Sequence, residues 1–344
     1  MSAYAAHAGD AARDRDVVID LWRGNLGQQA HLEAKFDWFY RACPWGPPLL
    51  QLLRHEPSSA WVGVAGAGTR RMLEGGRELR AGVLVDLAVR AAHRSLGPAL
   101  ILQKALVRAG CERFDLLYGF PNPKAAPVFE RVGYSRLGEI VRYARVLRHR
   151  GYLERRMPAL VARGLGLALD VASRYRDEKT RDRALKHQWV DVVDARIDEL
   201  WSESEHGTAC IAPRDTAMLR WRFDRAPRVK IRYLLVAEKR GGRLRAWFAC
   251  ETDGTTLHVR DFWSVDGSRG TGRPFIAALL TAAHRSGHAS VSVEYAGPEP
   301  RHRAWVDAGF MARSRRPIFG LWRDPSIGER GEEAIHLTSA DEDE

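Results

Sequence analysis

Apolar residues recur along the chain with the periods of strands and helices, in two successive blocks. Each block predicts a mixed, mostly antiparallel central sheet flanked by helices, so the fold class is α/β, or more strictly α+β. In the first block the predicted elements are helices within Val17–Tyr40, two strands within Ala60–Val89, a helix at Pro98–Ala109, a strand at Phe114–Phe120, a helix at Lys124–Val132 and a strand at Glu139–Val146. In the second block they are strands at Val229–Ala237, Leu244–Cys250 and Leu257–Trp263 and a helix at Pro274–Arg285.

Residues 151–187, between the blocks, predict a helical linker with arginines among its apolar positions. A basic amphipathic helix of this kind can lie on a membrane surface. We favour a connecting helix packed across two domains, because Pro158, Gly164 and Gly166 weaken an isolated helix. The predicted domains are therefore 1–150 and 188–323, joined by the linker 151–187 and followed by an acidic tail, 324–344, that we expect to be disordered.

Matching residues at matching offsets indicate that the two blocks are repeats of one unit. One matched segment is rich in aromatic residues, which either line a site for an acceptor molecule or pack in the core. The matched pairs are Asp86 and Asp261, Gly97 and Gly272, and the segments 38–44 and 221–227.

Length, charge and cysteine content set limits on the protein class. The chain has 344 residues, a length typical of about two domains, and a net charge of +11. That charge suits acidic partners such as CoA phosphates, nucleic acid or anionic lipid without choosing among them. The four cysteines are far apart, so we expect no disulfide framework or metal site and a cytoplasmic protein. No apolar run is long enough to predict a membrane span.

A glycine turn between a predicted strand and the helix at 98–109 suits an anion. Gly97 allows close approach of the backbone, and Pro98 fits the first turn of a helix. The free amides and positive dipole end of that helix would face the anion, with Arg94 beside them. The turn consists of Arg94, Ser95, Leu96, Gly97, Pro98 and Ala99. A diphosphate group fits there.

This turn resembles the pyrophosphate loop of the GNAT superfamily of N-acyltransferases, Arg/Gln-x-x-Gly-x-Gly/Ala. The superfamily's later element, Asn-x-x-Ala-x-x-x-Tyr-x-x-x-Gly-Phe, is similar to the segment from Asn122 to Tyr134, in which Ala125, Phe129 and Gly133 stand at the matching positions. The chain therefore looks like two tandem GNAT-like domains. The resemblance implies acetyl-CoA or another acyl-CoA as co-substrate, held by the six turn residues, by the strand residues Leu87, Ala88 and Val89, and by Asn122 and Phe129.

The resemblance also implies direct attack of an amine on the thioester carbonyl in a ternary complex. A backbone amide of the strand at 87–89 would stabilise the carbonyl oxygen. Asp86 is our candidate for the general base, and the alternative is a charge that bridges the strand to a neighbour. Where GNAT enzymes usually carry a tyrosine that protonates the leaving thiolate, this chain has Phe129, so Tyr118, Tyr134 or water is predicted to take that role.

The first unit is predicted to be the active one. The second unit has Pro274 in place of the small loop residue and Pro298 where Asn122 has its counterpart, so we interpret it as degenerate. The predicted acceptor is a small-molecule amine or amino sugar; we do not expect nucleic acid as the partner, and a homodimer stays open. Two alternatives are a tandem-GNAT peptidyl ligase that uses aminoacyl-tRNA and a non-catalytic CoA-binding or scaffold protein.

Overall fold

The computed structural model describes residues 3–26, 29–123, 125–227, 230–328 and 335–342. The first half comprises β1 (Tyr4–Gly9), α1 (Arg15–Trp22), α2 (Leu32–Phe36), β2 (Leu49–His55), β3 (Ala60–Glu74), β4 (Arg77–Val89), α3 (Leu96–Arg113), β5 (Leu116–Gly119), α4 (Ala126–Arg131) and β6 (Ser135–Val146). Two helices follow, α5 (Arg150–Leu153) and α6 (Ala159–Thr180). The second half comprises β7 (Leu185–Val190), α7 (Arg196–Glu203), β8 (Cys210–Ile211), α8 (Thr216–Leu219), β9 (Ile231–Glu238), β10 (Leu244–Asp253), β11 (Thr256–Ser264), α9 (Arg273–Arg285), β12 (Ser290–Ala296), α10 (Glu299–Asp307), β13 (Met311–Trp322), α11 (Pro325–Gly328) and β14 (Ile335–Thr338).

The described strands join in a single sheet whose order reflects the sequence repeat. The main path runs β1-β2-β3-β4-β5-β13-β6-β12-β11-β10-β9-β7, with β8 and β14 attached beside it. Strands β2, β3 and β4 pair antiparallel, and β5 pairs parallel to β4; the same arrangement recurs in β9 to β12. The order is therefore palindromic, as expected for two repeats related by an approximate two-fold axis.

The two halves exchange one long strand each, β6 from the first half and β13 from the second. Strand β6 pairs with β12, with Val146 opposite Ser290, while β13 pairs with β5, with Phe319 opposite Gly119. The two exchanged strands also pair with each other. The predicted sheets are consequently continuous, and neither half completes its sheet alone.

The repeated aromatic segments meet each other in the core. Each forms a π-helical turn, Asp37–Arg41 in the first half and Arg220–Asp224 in the second. The rings of Trp38 and Trp221 stack with centroids 5.3 Å apart. The indole Nε1 of each donates to the backbone carbonyl of the other, at 2.7 Å from Trp38 and 3.3 Å from Trp221. The segments thus pack the two repeats together, as the core interpretation predicted.

Most predicted elements are present, with boundaries that differ by a few residues. The helix predicted at 98–109 begins at Leu96 and extends to Arg113. The linker helix is present as α6, but the predicted range ran into residues that form β7. Seven described strands were not predicted, namely β1 and β2 in the first half and β7, β8, β12, β13 and β14 in the second. Lys124 and Val229, where two predicted elements begin, lie outside the described residues.

The prediction of a disordered acidic tail is wrong for residues 335–342. Ile335 and Leu337 of β14 are buried, and so is Asp341. The carboxylate of Asp341 lies 2.5 Å from the guanidinium of Arg214, and neither side chain is exposed. The acidic composition suggested solvation, whereas a buried arginine neutralises this aspartate instead.

Candidate active site

An open cleft lies where β4 and β5 separate. The two strands pair only over three residues, from Ala81 opposite Leu116 to Val83 opposite Tyr118. Beyond Val83 a cavity of about 200 Å³ opens between them. It is lined by Leu84, Val85, Asp86, Leu87, Gln103, Phe120, Pro121, Asn122, Ala125 and Phe129.

A bulge in β4 forms one wall of this cleft. Val85 pairs with Gly66 and Ala88 with Val64, so Asp86 and Leu87 together face one residue of β3. Asp86 has φ of +54°, a left-handed conformation that is uncommon for a residue with a side chain. A bulge removes backbone groups from the regular ladder. The strand can therefore present an amide to a ligand in the cleft.

The carboxylate of Asp86 is buried and fully engaged on the helical side of β4. Its Oδ1 lies 2.6 Å from Nζ of Lys35, and its Oδ2 accepts a hydrogen bond of 2.9 Å from the hydroxyl of Tyr40. The Asp86 side chain is only 1% exposed. Lys35 belongs to α2 and Tyr40 to the π-helical turn, so this carboxylate ties the bulge to both. Sequence reasoning missed these two partners, which belong to the same short segment as the repeated aromatic residues.

The turn between β4 and α3 leaves the helix start uncapped. Ser95 is the N-cap residue of α3, but its side chain makes no capping hydrogen bond. A Cβ placed on Gly97 would meet no atom within 4 Å, so the turn is open to a ligand. The guanidinium of Arg94 donates to the carbonyl of Val89 at 3.0 Å and to the side chain of Asn25. It is thereby held beside the helix start as a fixed positive charge.

Asn122 and Phe129 close the far side of the cleft. The side-chain oxygen of Asn122 accepts a hydrogen bond of 3.0 Å from the amide of Ala125, just before α4 begins. The ring of Phe129 packs against Tyr134, with centroids 5.1 Å apart. Both residues line the cavity, and their predicted role in binding CoA stays a prediction.

Neither predicted proton donor lines the cavity. The hydroxyl of Tyr118 donates to the backbone carbonyl of Asp341 at 3.0 Å, on the face of the sheet opposite α3. Tyr134 is buried, and within the described part of the chain its hydroxyl has no hydrogen-bond partner. Burial raises the pKa of Tyr118 and of Tyr134 well above the ordinary value for tyrosine. Both hydroxyls therefore keep their protons at neutral pH.

Gln103 is a cleft residue that sequence reasoning missed. It lies on α3 between Leu102 and Leu106, which are both fully buried, and it lines the cavity. Its side-chain oxygen is buried without a hydrogen-bond partner among the described residues. A polar residue on the apolar stripe of a predicted helix was the available indication.

The counterpart cleft in the second half is closed. β11 and β12 pair from Thr256 to Val259, and beyond them the C-terminal segment joins the two strands. Thr338 of β14 is opposite Tyr295 of β12, and its hydroxyl donates to the carboxylate of Asp261 in β11 at 2.9 Å.

A buried ion network completes this closure. Arg214 lies 3.2 Å from the carboxylate of Asp261 and 2.5 Å from that of Asp341, and all three side chains are 0% exposed. Burial raises the pKa of Asp261 to about 6. At the start of α9, the amide of Gly272 donates to the carboxylate of Asp266 at 2.9 Å. An aspartate of the chain therefore occupies the helix start that an anion would need.

Among the described residues, no three His, Cys, Asp or Glu side chains are placed to hold a metal ion together. Within the same ranges, no helix has the length and apolar character needed to cross a bilayer.

Comparison with solved structures identifies the fold as that of GNAT-type acyltransferases. No family model and no curated protein sequence matches the chain. A probable N-acyltransferase from Enterococcus faecalis, itself of unknown function, is similar over 94% of this chain and 73% of its own, with 12% identity and a TM-score of 0.66. A GCN5-related N-acetyltransferase from Anabaena variabilis gives the same coverages, with 11% identity and a TM-score of 0.65.

A structure of known ligand shares the tandem arrangement. N-myristoyltransferase of Saccharomyces cerevisiae, solved with bound myristoyl-CoA, is similar over 98% of this chain and 90% of its own, with 12% identity and a TM-score of 0.53. At these identities the likeness concerns the fold. It agrees with the two GNAT-like units that the sequence repeat predicted.

Proposed function

We propose that the protein is an N-acyltransferase that transfers an acetyl group from acetyl-CoA to an amine of a small molecule or amino sugar. The observation that carries this proposal is the open cleft between β4 and β5, placed next to an uncapped helix start with Arg94 beside it. A diphosphate at the start of α3 would gain backbone hydrogen bonds and a favourable helix dipole. The pantetheine arm would then lie in the cleft between the strands.

The cleft residues suggest how the arm and the thioester are held. Gln103 offers an unpaired acceptor oxygen in the cleft, which suits an amide N–H of pantetheine. The bulged segment 86–87 offers an amide to the thioester carbonyl, where negative charge develops during attack. The cavity of about 200 Å³ is bordered by large apolar side chains, which favours a short acyl group.

In the proposed reaction the amine nitrogen forms a bond to the carbonyl carbon, and the carbon–sulfur bond then breaks. The amine loses a proton, and the CoA thiolate gains one. Phe129 lines the cleft but has no proton to donate, so we propose that water protonates the thiolate. The donor roles of Tyr118 and Tyr134 stay predictions. Neither hydroxyl reaches the cavity, so this geometry does not favour them.

Asp86 stays a prediction as the general base. Both of its oxygens already bind hydrogen-bond donors, so we favour its alternative role, a charge that holds the bulge against α2. A pH–rate profile separates the two roles. If Asp86 is the base, the variant Asp86→Asn should lose the acidic limb of the pH–rate profile. If Asp86 only positions the bulge, the variant should have a lower rate at every pH.

The function is tested with the full chain in two assays. Titration calorimetry with acetyl-CoA measures binding, and release of free thiol across a panel of amines measures transfer. Binding with amine-dependent thiol release supports the proposal. Binding without release from any acyl-CoA supports the CoA-binding scaffold instead, and absence of binding overturns both.

A further inference from the structure

Helix α6 exposes an unusually large apolar surface. Leu160 is 86% exposed, Leu167 62% and Val171 51%. Other apolar side chains of the helix with high exposure are Val161, Leu165, Leu169 and Tyr175. The helix contacts α5 and α9, and Ala162 and Gly166 are its buried residues. It thus contacts α9 of the second half, and its Asp177 pairs with Arg145 of β6 in the first half.

The side of α6 that faces the protein is held by polar contacts. Asp177 lies 2.8 Å from the guanidinium of Arg145, which also donates to Ser173 at 2.8 Å. Asp170 accepts hydrogen bonds from the backbone amide of His149, at 2.9 Å, and pairs with its ring Nδ1 at 2.7 Å. A surface helix of a globular protein normally turns its apolar stripe inward and its polar side outward. This helix does the reverse, so its apolar side lacks a partner among the described residues.

The charges around the apolar surface select one kind of partner. From Arg155 to Leu169 the sequence contains three arginines, Arg155, Arg156 and Arg163, and no acidic residue. All three arginines are exposed. A second copy docking through the same face would bring these arginines together, which disfavours self-association. Anionic lipid headgroups complement the arginines, and the acyl region beneath them accommodates leucine and valine side chains.

We propose that α6 is a membrane-docking helix that binds the surface of a bilayer containing anionic lipid. The helix, 22 residues long, lies in the interfacial plane with its apolar side among the upper acyl chains. Arg163 of the helix, and Arg155 and Arg156 just before it, contact the phosphates. The docking does not depend on the proposed acyl transfer.

Sedimentation of the full-length protein with vesicles tests this proposal. One set of vesicles is pure phosphatidylcholine, and the other contains phosphatidylglycerol as well. We expect binding to the anionic vesicles that falls steeply with added salt and is weak for the zwitterionic ones. The double variant Leu167→Glu, Val171→Glu should lose at least about tenfold in partitioning, because each change places a charge in the inserted side. The double variant Arg155→Gln, Arg156→Gln should lose about fivefold per arginine on anionic vesicles alone.

A matched control separates specific docking from general stickiness. Val192 is 66% exposed outside α6, so Val192→Glu should bind vesicles as the unaltered chain does. Circular dichroism and thermal unfolding should be unchanged in all variants, since the altered side chains are exposed. Equal vesicle binding by the unaltered chain and by Leu167→Glu, Val171→Glu overturns the proposal. The proposal is also overturned if the protein does not bind anionic vesicles and instead sediments as a dimer that is abolished in Leu167→Glu, Val171→Glu.

Discussion

The cleft beside β4 and its counterpart beside β11 occupy matching positions in the two repeats. The first is open, and the second is closed by residues of the chain itself. In the first half the helix start behind the cleft is uncapped, and the cavity between the strands is open. In the second half Asp266 binds the helix start, and the C-terminal segment with Asp341 bridges the separated strands. In the second half, side chains of the protein itself therefore occupy the positions that are open in the first half.

The matched aspartates show the same contrast on a smaller scale. Asp86 pairs with Lys35 and Tyr40, at the edge of an open cleft. Asp261 pairs with Arg214 and Thr338, inside a closed one. Each carboxylate lies at or beside an irregularity in the pairing of its strand, and the two differ in their surroundings.

The largest expected effect is a loss of stability when the buried ion network of the closed second-half cleft is disrupted. Arg214→Met leaves Asp261 and Asp341 buried without their cation, which should cost about 3–5 kcal/mol of unfolding free energy. Urea unfolding followed by fluorescence measures this loss. The control is Arg232→Met, because Arg232 pairs with Asp191 on the surface at 46% and 68% exposure and should cost less than about 1 kcal/mol. Equal losses in the two variants would argue against a structural role for the buried network.

The second prediction converts the open side into a copy of the closed one. Ser95→Asp places a carboxylate at the start of α3, where it can cap the helix and repel a phosphate. We expect acetyl-CoA affinity to fall by about 10- to 100-fold, equivalent to about 1.4–2.7 kcal/mol, without loss of thermal stability. Titration calorimetry measures the affinity. Asp266→Ser, the reciprocal change in the second half, should leave the acetyl-CoA affinity unaltered. A fall in affinity for this variant would indicate that the cofactor binds in the second half.

The third prediction concerns the missing proton donor. Phe129→Tyr adds a hydroxyl at the cleft, and we expect kcat for thiol release to rise about tenfold, less than a general acid usually contributes because water already serves. Tyr134→Phe is the comparison variant, since its hydroxyl does not line the cavity. A large drop in kcat for Tyr134→Phe would instead support the donor role that the sequence suggested.

The smallest effect is a pH dependence located on the closed side. Burial, together with Arg301, Arg214 and His302, lowers the pKa of His336 well below its ordinary value of 6.5. The unfolded chain therefore takes up a proton near pH 6.5 that the folded chain refuses, so stability is full above this pH and is lost as the pH falls. The loss attributable to this residue is at most about 1.4 kcal/mol per pH unit. Urea unfolding between pH 7.5 and about 5.5 should show a flatter dependence for His336→Gln than for the unaltered chain.

Local patterns in the sequence were enough to predict the elements that build the first cleft. The glycine turn at 94–99 and the Asn122 element identified the strands and helices around it, because each motif requires a specific local backbone. The repeat predicted two units, since matched residues at matched offsets report common structure. Phe129 and Asn122, which the sequence pattern assigned to the CoA site, line this cleft, and their binding of CoA stays a prediction.

The parts that could not be predicted depend on contacts between distant segments. Exchange of β6 and β13 follows from how the two units meet, and no residue within either strand encodes its partner. Lys35 and Tyr40 precede Asp86 by a long stretch of chain, so only the folded structure reveals that they bind it. The tail was judged by its acidic composition, but Arg214, far away in sequence, determines that Asp341 is buried.

The exchange of β6 and β13 between the halves also affects how the protein folds during synthesis. While the chain is being synthesised, β5 emerges long before β13, the strand that will lie next to it. The edge of β5 therefore stays unpaired until nearly all of the polypeptide has been synthesised. Unpaired strand edges promote association with other chains. Such distant pairings slow folding as well. We therefore expect that a fragment ending before β13 aggregates, and that adding the missing C-terminal segment in trans rescues its solubility.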